Sequence, residues 1–326
     1  MRVLVALLLL SSSNIYADEI PATGRELLSM MQNFADQINY RGTFVFMHDG
    51  QLESMKILHG VSNGEVRERL TALSGEPREV LRDQETVTCI WPNRKLVTVE
   101  PASSDHGIPA IIPKELETIE HSYRIKAGPV KRIAGQKCHL VAIRPIDYFR
   151  YGYDLCIQPN TGMVLQSKMY HPRGGLLEEV MFTRLQYLED IDEQEFEPVN
   201  DVEGYTWRKP NVDTQYSENS LDFDTSWRVS NLPPGFAVSK ISHRLMSTSD
   251  EPVQHMVVSD GYATVSVFIV KPRELNRVRE GRSRHGAINT FSRGFNDHQI
   301  TVLGEVPNAT VEMIGTSIMY DGNMDQ

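Results

Sequence analysis

The chain has 326 residues, a formal net charge of −10 and 40% hydrophobic residues. One hydrophobic core rarely grows beyond roughly 250 residues, so this length predicts two domains. The negative charge excludes a general nucleic-acid-binding protein, because such a protein needs a basic surface.

The N-terminus has the pattern of an export signal. Arg2 precedes an apolar run from Val3 to Leu10, and small and polar residues follow to Ala17. This run is much shorter than the ~20 residues that cross a bilayer as a helix. We therefore predict a signal peptide over residues 1–17 and an exported product.

A helix is predicted at the start of the mature chain. Thr23 and Glu26 form a capping-box pattern, which marks a helix N-terminus. The apolar stripe that follows at helical spacing consists of Leu27, Leu28, Met31, Phe34, Ala35 and Ile38. This stripe must pack against another element, and a sheet is the expected partner.

The next part of the chain alternates apolar and polar residues, as antiparallel strands do. Asp49-Gly50 and Asn63-Gly64 are tight-turn dipeptides that predict hairpins. A proline-rich loop is predicted at 101–113 and a short helix at 114–121. The predicted strands are 42–48, 53–61, 65–71, 78–82, 86–91, 95–99, 122–127, 130–133, 137–143, 151–157, 163–170 and 177–188.

A linker is predicted at 199–226, where six carboxylates face only two cations. A smaller domain follows from Trp227, with strands predicted at 237–245, 253–259, 263–270, 286–293 and 299–305. A final helix is predicted from Pro307, a favourable first helical position, with Val311, Ile314 and Ile318 on one side.

Three cysteines remain in the exported chain: Cys89, Cys138 and Cys156. Cys138 and Cys156 lie on the two arms of the hairpin centred near Asp147, so a disulfide between them is one interpretation. The alternative is that all three are small buried apolar residues. The His residues show no paired spacing and no Cys-x-x-Cys is present, so neither a metal nor a cofactor is expected.

Several motifs resemble one known family. They are Tyr-Phe-Arg-Tyr-Gly-Tyr-Asp at 148–154, Asn-Tyr-Arg-Gly-Thr-Phe-Val-Phe from Asn39, Gly-Leu-Leu-Glu-Glu-Val from Gly175, and Trp…Leu-Pro-x-Gly-Phe from Trp227. Over about Leu27 to Tyr320 the chain resembles the RseB/MucB family. The resemblance implies an α+β, mainly β fold. An unclosed antiparallel barrel like that of LolA and LolB, with covering helices, would span 18–198, and a smaller C-terminal α+β domain would span 227–326.

The same resemblance implies a periplasmic regulator and no enzyme. Such a protein binds the periplasmic domain of a transmembrane anti-sigma factor of the RseA/MucA type and protects it from regulated proteolysis. The stress sigma factor then stays inactive. Lipopolysaccharide or lipoprotein acyl chains would release the partner, and the regulator could form a homo-oligomer. The chain contains no nucleophile elbow, no metalloprotease motif and no phosphate-binding loop.

The basic stretch, residues 271–285, is the concentrated positive patch that we single out from the sequence. Its cations are Lys271, Arg273, Arg277, Arg279, Arg282 and Arg284, against two carboxylates. Arginine favours bidentate contact with carboxylate or phosphate, so we expect a partner-binding surface. The alternative is a solvated face.

The interior of the first domain is the second candidate site. The residues expected to line an acyl pocket are Phe44, Phe46, Met55, Ile57, Leu81, Val141, Ile143, Leu155 and Met169. A filled core uses the same residue types, so both interpretations stay open. For Tyr148, Phe149, Arg150, Tyr151 and Tyr153 we favour a structural role over an interface role.

Two functions of other classes remain as alternatives. A LolA-like periplasmic carrier of lipoproteins or lipids would not need the second domain. A hydrolase is disfavoured, because Ser103, Asp105 and His106 are adjacent in sequence and catalytic groups assemble in space.

Overall fold

The computed structural model describes residues 23–34, 37–62, 64–102, 116–209, 226–244, 253–272 and 280–321. The predicted signal peptide at 1–17 and most of the predicted loop at 101–113 lie outside these ranges. Among the described residues, none of the helices is long and apolar enough to pass through a bilayer.

Twelve strands form one large sheet. They are β1 (Tyr40–His48), β2 (Gln51–Ser62), β3 (Glu65–Ala72), β4 (Glu79–Arg82), β5 (Thr86–Trp91), β6 (Leu96–Pro101), β7 (Tyr123–Ile133), β8 (Gln136–Pro145), β9 (Gly152–Ile157), β10 (Val164–Tyr170), β11 (Leu176–Tyr187) and β12 (Thr206–Arg208). Their order is β12-β6-β5-β4-β3-β2-β1-β11-β10-β9-β8-β7, and only β12 pairs in parallel. Because β12 and β7 do not pair with each other, the sheet is unclosed, as predicted.

Local chemistry explains the start of this domain. The first helix, α1 (Gly24–Phe34), begins with the predicted capping box. Thr23 N donates to Glu26 Oε2 at 2.7 Å and Glu26 N donates to Thr23 Oγ1 at 3.2 Å. The predicted turn between β1 and β2 is also confirmed, because Asp49 and Gly50 have φ of 47° and 75°.

Strand β7 differs from its prediction as two strands, 122–127 and 130–133. It is one strand with a bulge between Ala127 and Val130. The bulge accommodates Pro129, which has no N–H to donate to a ladder. Within the helix predicted at 114–121 the structure has α2 (Leu116–Glu120), and residues 114 and 115 lie outside the described ranges.

Two apolar clusters stabilise the first domain. Helices α1 and α2 cover the first one, which includes Leu27, Leu28, Met31, Ile119, Val141, Ile143, Leu155, Ile157 and Met169. The second includes Phe44, Met55, Ile57, Leu70, Leu165 and Phe182 together with Cys138 and Cys156. Residues 155 and 156 belong to different clusters, as expected for neighbours in a strand that point to opposite faces.

The second domain is a smaller sheet with one packed helix. Its six strands are β14 (Ala237–Arg244), β15 (Val253–Ser259), β16 (Thr264–Val270), β17 (Gly281–His285), β18 (Ile288–Phe295) and β19 (His298–Gly304). Helix α3 (Asn308–Thr316) packs on it through Val311 and Ile314. Two short strands, β13 (Trp227–Val229) and β20 (Ile318–Tyr320), pair beside this core. The strand predicted at 286–293 is β18, and β17 was not predicted.

Candidate functional site

The segment between β8 and β9 joins the two domains. Arg150, in this segment, is fully buried. Its Nε donates to Asp260 Oδ2, its Nη1 to Asp147 Oδ2, and its Nη2 to the carbonyl oxygen of Pro234. The Phe236 ring centroid lies 4.7 Å from the guanidinium carbon. Every branch of the guanidinium is therefore engaged, and two of the three acceptors belong to the second domain.

Asp260 also organises the turn between β15 and β16. Its Oδ1 accepts hydrogen bonds from Tyr262 N at 2.9 Å and Ala263 N at 2.7 Å. Tyr262 in turn packs edge-on against Tyr123 and Tyr153 of the first domain. The Asp260 carboxylate therefore holds Arg150 of the first domain and also the turn that positions Tyr262 against the first domain.

Tyr151 makes a second polar contact across the boundary. Its hydroxyl oxygen lies 2.9 Å from the carbonyl oxygen of Ala287 and 3.1 Å from that of Val306. Asn289 Nδ2 donates to the same hydroxyl at 2.8 Å and to the Val306 carbonyl at 2.7 Å. Burial raises the pKa of the Tyr151 phenol above its ordinary value. We call the contacts of Arg150 and Tyr151 with Pro234, Asp260, Ala287, Asn289 and Val306 the interdomain seam.

Carboxylates flank the seam. Asp49 accepts from Arg284 Nη2 at 3.1 Å and from Gly286 N at 2.9 Å, and Glu178 accepts from Ala287 N at 3.2 Å. Burial raises the pKa of Glu178. Burial, and secondarily the negative charge of Glu178, raise the pKa of Glu305 to about 7. Glu305, which precedes Val306 of the seam, therefore has a pKa near neutral pH.

The predicted structural role of residues 148–153 agrees with these contacts. Tyr151 and Tyr153 both lie in the apolar cluster under α1 and α2, and that cluster also contains Tyr262 and Ala287. Tyr148 is the exception, because its side chain is exposed. The core of the first domain thus continues into the second.

The sequence did not identify Asp260, Asn289 and Glu305 as members of this site. Asp260 lies between the strands predicted at 253–259 and 263–270, and Glu305 is the last residue of the strand predicted at 299–305. The single signal in the sequence is the placement of Arg150 among aromatic residues directly before a predicted strand, where a buried cation would need a partner.

The basic stretch is only partly described. Arg273, Arg277 and Arg279 lie outside the described residues, and Lys271 follows β16 directly. Arg282 and Arg284 lie on β17 with exposed side chains, and both contact carboxylates of the same chain: Glu312 on α3 and Asp49 in the β1–β2 turn. These two arginines therefore already connect elements within the protein.

The residues expected to line an acyl pocket fall into separate groups. Val141, Ile143, Leu155 and Met169 lie under the helices. Phe44, Phe46, Met55 and Ile57 lie in or against the second cluster. Leu81 belongs to neither and lines a cleft of about 440 Å³. That cleft also includes Glu68, Arg82 and Asp83. Its charged wall suits polar groups better than an acyl chain.

Cys138 and Cys156 form a disulfide that connects β8 to β9. Cys89 on β5 is a free thiol. Burial raises the pKa of the Cys89 thiol. In the part of the chain that the structure describes, no group of three or more His, Cys, Asp or Glu side chains is arranged to hold a metal ion.

The strap, residues 189–208, lies against the first sheet. Arg41 Nη2 lies 3.1 Å from Glu195 Oε1, and Arg67 pairs with Glu193. Gly60 leaves room for Phe196, because a Cβ there would lie 2.6 Å from the ring. Strand β12 then pairs with β6. The first part of the predicted linker at 199–226 is therefore fixed on the first domain, and residues 210–225 lie outside the described ranges.

Comparisons with known proteins agree on one family. The family model for the MucB/RseB N-terminal domain matches residues 23–200, and that for the MucB/RseB C-terminal domain matches residues 222–319. The chain is 29% identical to the sigma factor AlgU regulatory protein MucB of Pseudomonas aeruginosa, over 98% of each chain. It is 24% identical to the sigma-E factor regulatory protein RseB of Haemophilus influenzae, over 97% of this chain and 96% of that protein.

The fold comparison agrees. The crystal structure of MucB in complex with MucA(peri) matches with a TM-score of 0.68 and 26% identity, over 92% of this chain and 99% of that chain. On these grounds the chain belongs to the MucB/RseB family.

Proposed function

We propose that this protein is a periplasmic regulator that binds the periplasmic domain of an RseA/MucA-type anti-sigma factor. The observation that carries the proposal is the similarity, over 92% of this chain, to MucB crystallised with MucA(peri). The nearly full-length matches to proteins named as sigma-factor regulators support it. The domains that we assign to this function span 18–198 and 227–326.

The regulator acts by covering its partner. An anti-sigma segment that lies against this protein is inaccessible to proteases, so the anti-sigma factor persists and the stress sigma factor stays bound to it. The buried polar groups of the seam support a binding role, because Arg150, Asp260 and Tyr151 are engaged in joining the domains. A fixed arrangement of two domains gives the partner one surface of defined shape.

The basic stretch supplies part of that surface in this proposal. Arg282 and Arg284 are exposed and lie on an edge strand, where a carboxylate of the partner could replace Glu312 or Asp49. Arginine suits such an exchange because its planar fork binds carboxylates in a bidentate manner. Each exposed ion pair contributes little binding free energy. The basic stretch therefore contributes to specificity and association rate more than to affinity.

A lipid signal releases the partner. The acyl chain of a lipopolysaccharide or lipoprotein would enter between the covering helices and the sheet, where Val141, Leu155 and Met169 line the apolar cluster. Such a ligand shifts the equilibrium only if it binds the released state more tightly than the bound state. A hundredfold change in partner affinity corresponds to a coupling free energy of ~2.7 kcal/mol.

Protease protection tests this function. The purified anti-sigma periplasmic domain is digested alone, with the mature protein, and with an unrelated exported protein of similar charge. We expect cleavage to slow in proportion to the fraction bound, and lipopolysaccharide to restore it. Unchanged cleavage at saturating mature protein would refute the protective role.

A further inference from the structure

The hairpin of β7 and β8 carries a second concentration of positive charge. Residues 121–146 contain no Asp or Glu. They contain six cations: Arg124, Lys126, Lys131, Arg132, Lys137 and Arg144. The whole chain has a net charge of −10. We did not single out this hairpin from the sequence, because its cations are spread over two predicted strands.

Four of these six cationic side chains form no hydrogen bond or ion pair with the described part of the chain. Arg144 pairs with Asp154 at 2.5 Å, and Arg132 donates to the carbonyl oxygen of Gly135 at 3.2 Å. The remaining four, Arg124, Lys126, Lys131 and Lys137, have no side-chain partner among the residues that the structure describes. All except Lys131 are exposed, and Lys131 is half-buried.

Some arginines elsewhere in the same sheet behave differently. Arg41, Arg67 and Arg78 each form an ion pair with a glutamate of the same chain. The fold supplies carboxylates to these three and to Arg144 on β8, but not to Arg124, Lys126, Lys131 and Lys137. Strand β7 is an edge of the sheet, where charged side chains prevent sheet-to-sheet pairing. Its three unpaired cations, Arg124, Lys126 and Lys131, are available to a partner as well.

The contacts of the strap with the first sheet indicate which kind of ligand such a basic surface binds. Residues 189–203 contain eight carboxylates and no cation. This acidic run lies across the sheet through Arg41 to Glu195, Arg67 to Glu193, and Arg69 to the carbonyl oxygen of Glu197 at 3.2 Å. The segment Glu193–Phe196 of this run forms a short 3₁₀ helix. An acidic segment held by cations of a sheet is thus an interaction that this protein already makes once.

Exposed apolar side chains favour a polypeptide over a free anion. Val130 on β7 is 53% exposed and Ile146, directly after β8, is 56% exposed. Ile146 follows Arg144 by two residues, on the face that carries Arg124 and Lys126, whereas Val130 lies on the opposite face of the hairpin. Apolar groups among positive charges are typical of a protein contact, where the apolar part contributes affinity and the charges contribute orientation.

We infer that the β7–β8 hairpin is a docking surface for an acidic segment of another polypeptide. Arg124, Lys126 and Lys131, which lie on one face of the hairpin, bind its carboxylates, and Ile146 contacts its apolar side chains. The surface is distinct from the basic stretch and from the interdomain seam. The inference does not depend on the identity of the partner proposed above.

A peptide probe tests this inference. The probe is a fluorescein-labelled peptide with the sequence of residues 189–203, and its control has Asn and Gln in place of Asp and Glu. The protein is the full mature chain, either unchanged or as the triple variant Arg124→Glu, Lys126→Glu and Lys131→Glu. A matched control variant reverses three other exposed cations that have no partner among the described residues: Lys56→Glu, Lys95→Glu and Arg184→Glu. Fluorescence anisotropy gives the Kd at several salt concentrations.

We expect the acidic probe to bind and the neutral probe not to bind. The hairpin variant should bind roughly tenfold more weakly, with a shallower salt dependence, because three exposed charge pairs are removed. The matched control variant should stay within about twofold of the unchanged protein. Circular dichroism checks the folding of each variant, and the corresponding Gln variants replace any Glu variant that fails to fold.

Three results would overturn the inference. One is equal affinity of the hairpin variant and the unchanged protein. Another is an equal loss in both variants, which would indicate an effect of net charge alone. The third is binding to vesicles of anionic phospholipid through the hairpin without binding to the acidic peptide.

Discussion

Arg150 and Asp260 are 110 residues apart in sequence, and they form a fully buried ion pair between the two domains. The Arg150 side chain ends between two carboxylates, a carbonyl oxygen and two aromatic rings. A buried cation whose three nitrogens are all engaged is stable only while both domains hold their positions. The pair therefore makes the arrangement of the domains part of the folded state.

Removing one member of this pair should be costly. We expect Arg150→Ala to lower the free energy of unfolding by about 3–5 kcal/mol, because Asp260 is left buried without its cation. Urea denaturation followed by fluorescence measures the change. The double variant Arg150→Met with Asp260→Asn is the control and should recover much of the loss. Equal stability of Arg150→Ala and the unchanged protein would exclude a structural role for the pair.

Tyr151→Phe tests the second contact of the seam. The change removes a hydroxyl that meets the carbonyl oxygens of Ala287 and Val306 and accepts from Asn289. We expect a loss of roughly 1–3 kcal/mol, since buried polar partners are left unsatisfied. Tyr148→Phe removes an exposed hydroxyl and should change stability by less than about 0.5 kcal/mol. Similar values for the two variants would contradict the assignment of Tyr151 to the seam.

The stability of the protein should depend on the protonation of Glu305. Burial raises the pKa of this carboxyl from 4.5 to about 7, so the folded state binds the proton more tightly than the unfolded state does. The contribution is favourable at low pH and is lost as the pH rises from about 4.5 through about 7.

Thermal unfolding across that pH range gives the measurement. Glu305→Gln should have a shallower fall in Tm with rising pH than the unchanged protein, because its amide does not titrate. Glu203→Gln, at an exposed position of the strap, is the control and should follow the unchanged protein. Parallel curves for Glu305→Gln and the unchanged protein would assign the pH dependence to other groups.

The disulfide between Cys138 and Cys156 closes a loop with a sequence separation of 18 residues. Closing a loop of this length stabilises a protein by about 3 kcal/mol in the chain-entropy model. We expect the double variant Cys138→Ser and Cys156→Ser to lose about 2–4 kcal/mol in denaturant titrations. Cys89→Ser retains the disulfide and serves as the control. A reductant that leaves the unfolding curve of the unchanged protein unaltered would argue against this role.

The parts of the fold that sequence predicted are those set by neighbours in the chain. Thr23 and Glu26 are three residues apart, and Asp49 and Gly50 are adjacent, so their roles follow from local chemistry. Alternation located the long strands of both sheets. It missed β12, β13 and β20, which have three residues each and are too short to show a period.

The seam could not be predicted because it depends on distant partners. Nothing near Arg150 shows that Asp260 and the Pro234 carbonyl will surround it, since that pairing exists only after both sheets have formed and docked. The basic stretch was recognised from its charge composition alone. The ion pair of Arg284 with Asp49 could not be predicted, because it depends on where the β1–β2 turn lies in the folded protein. The cluster of unpaired cations on β7 and β8 could not be recognised from the sequence either, because it forms only when the two strands pair.

The central claim is that this protein binds the periplasmic domain of an anti-sigma factor through a surface that both domains form. Isothermal titration calorimetry of the purified mature protein with that domain, encoded by the same genome, tests it most directly. We predict saturable, equimolar binding that weakens in Arg150→Ala under conditions where the variant remains folded. The absence of any saturable binding by the unchanged protein would contradict the account.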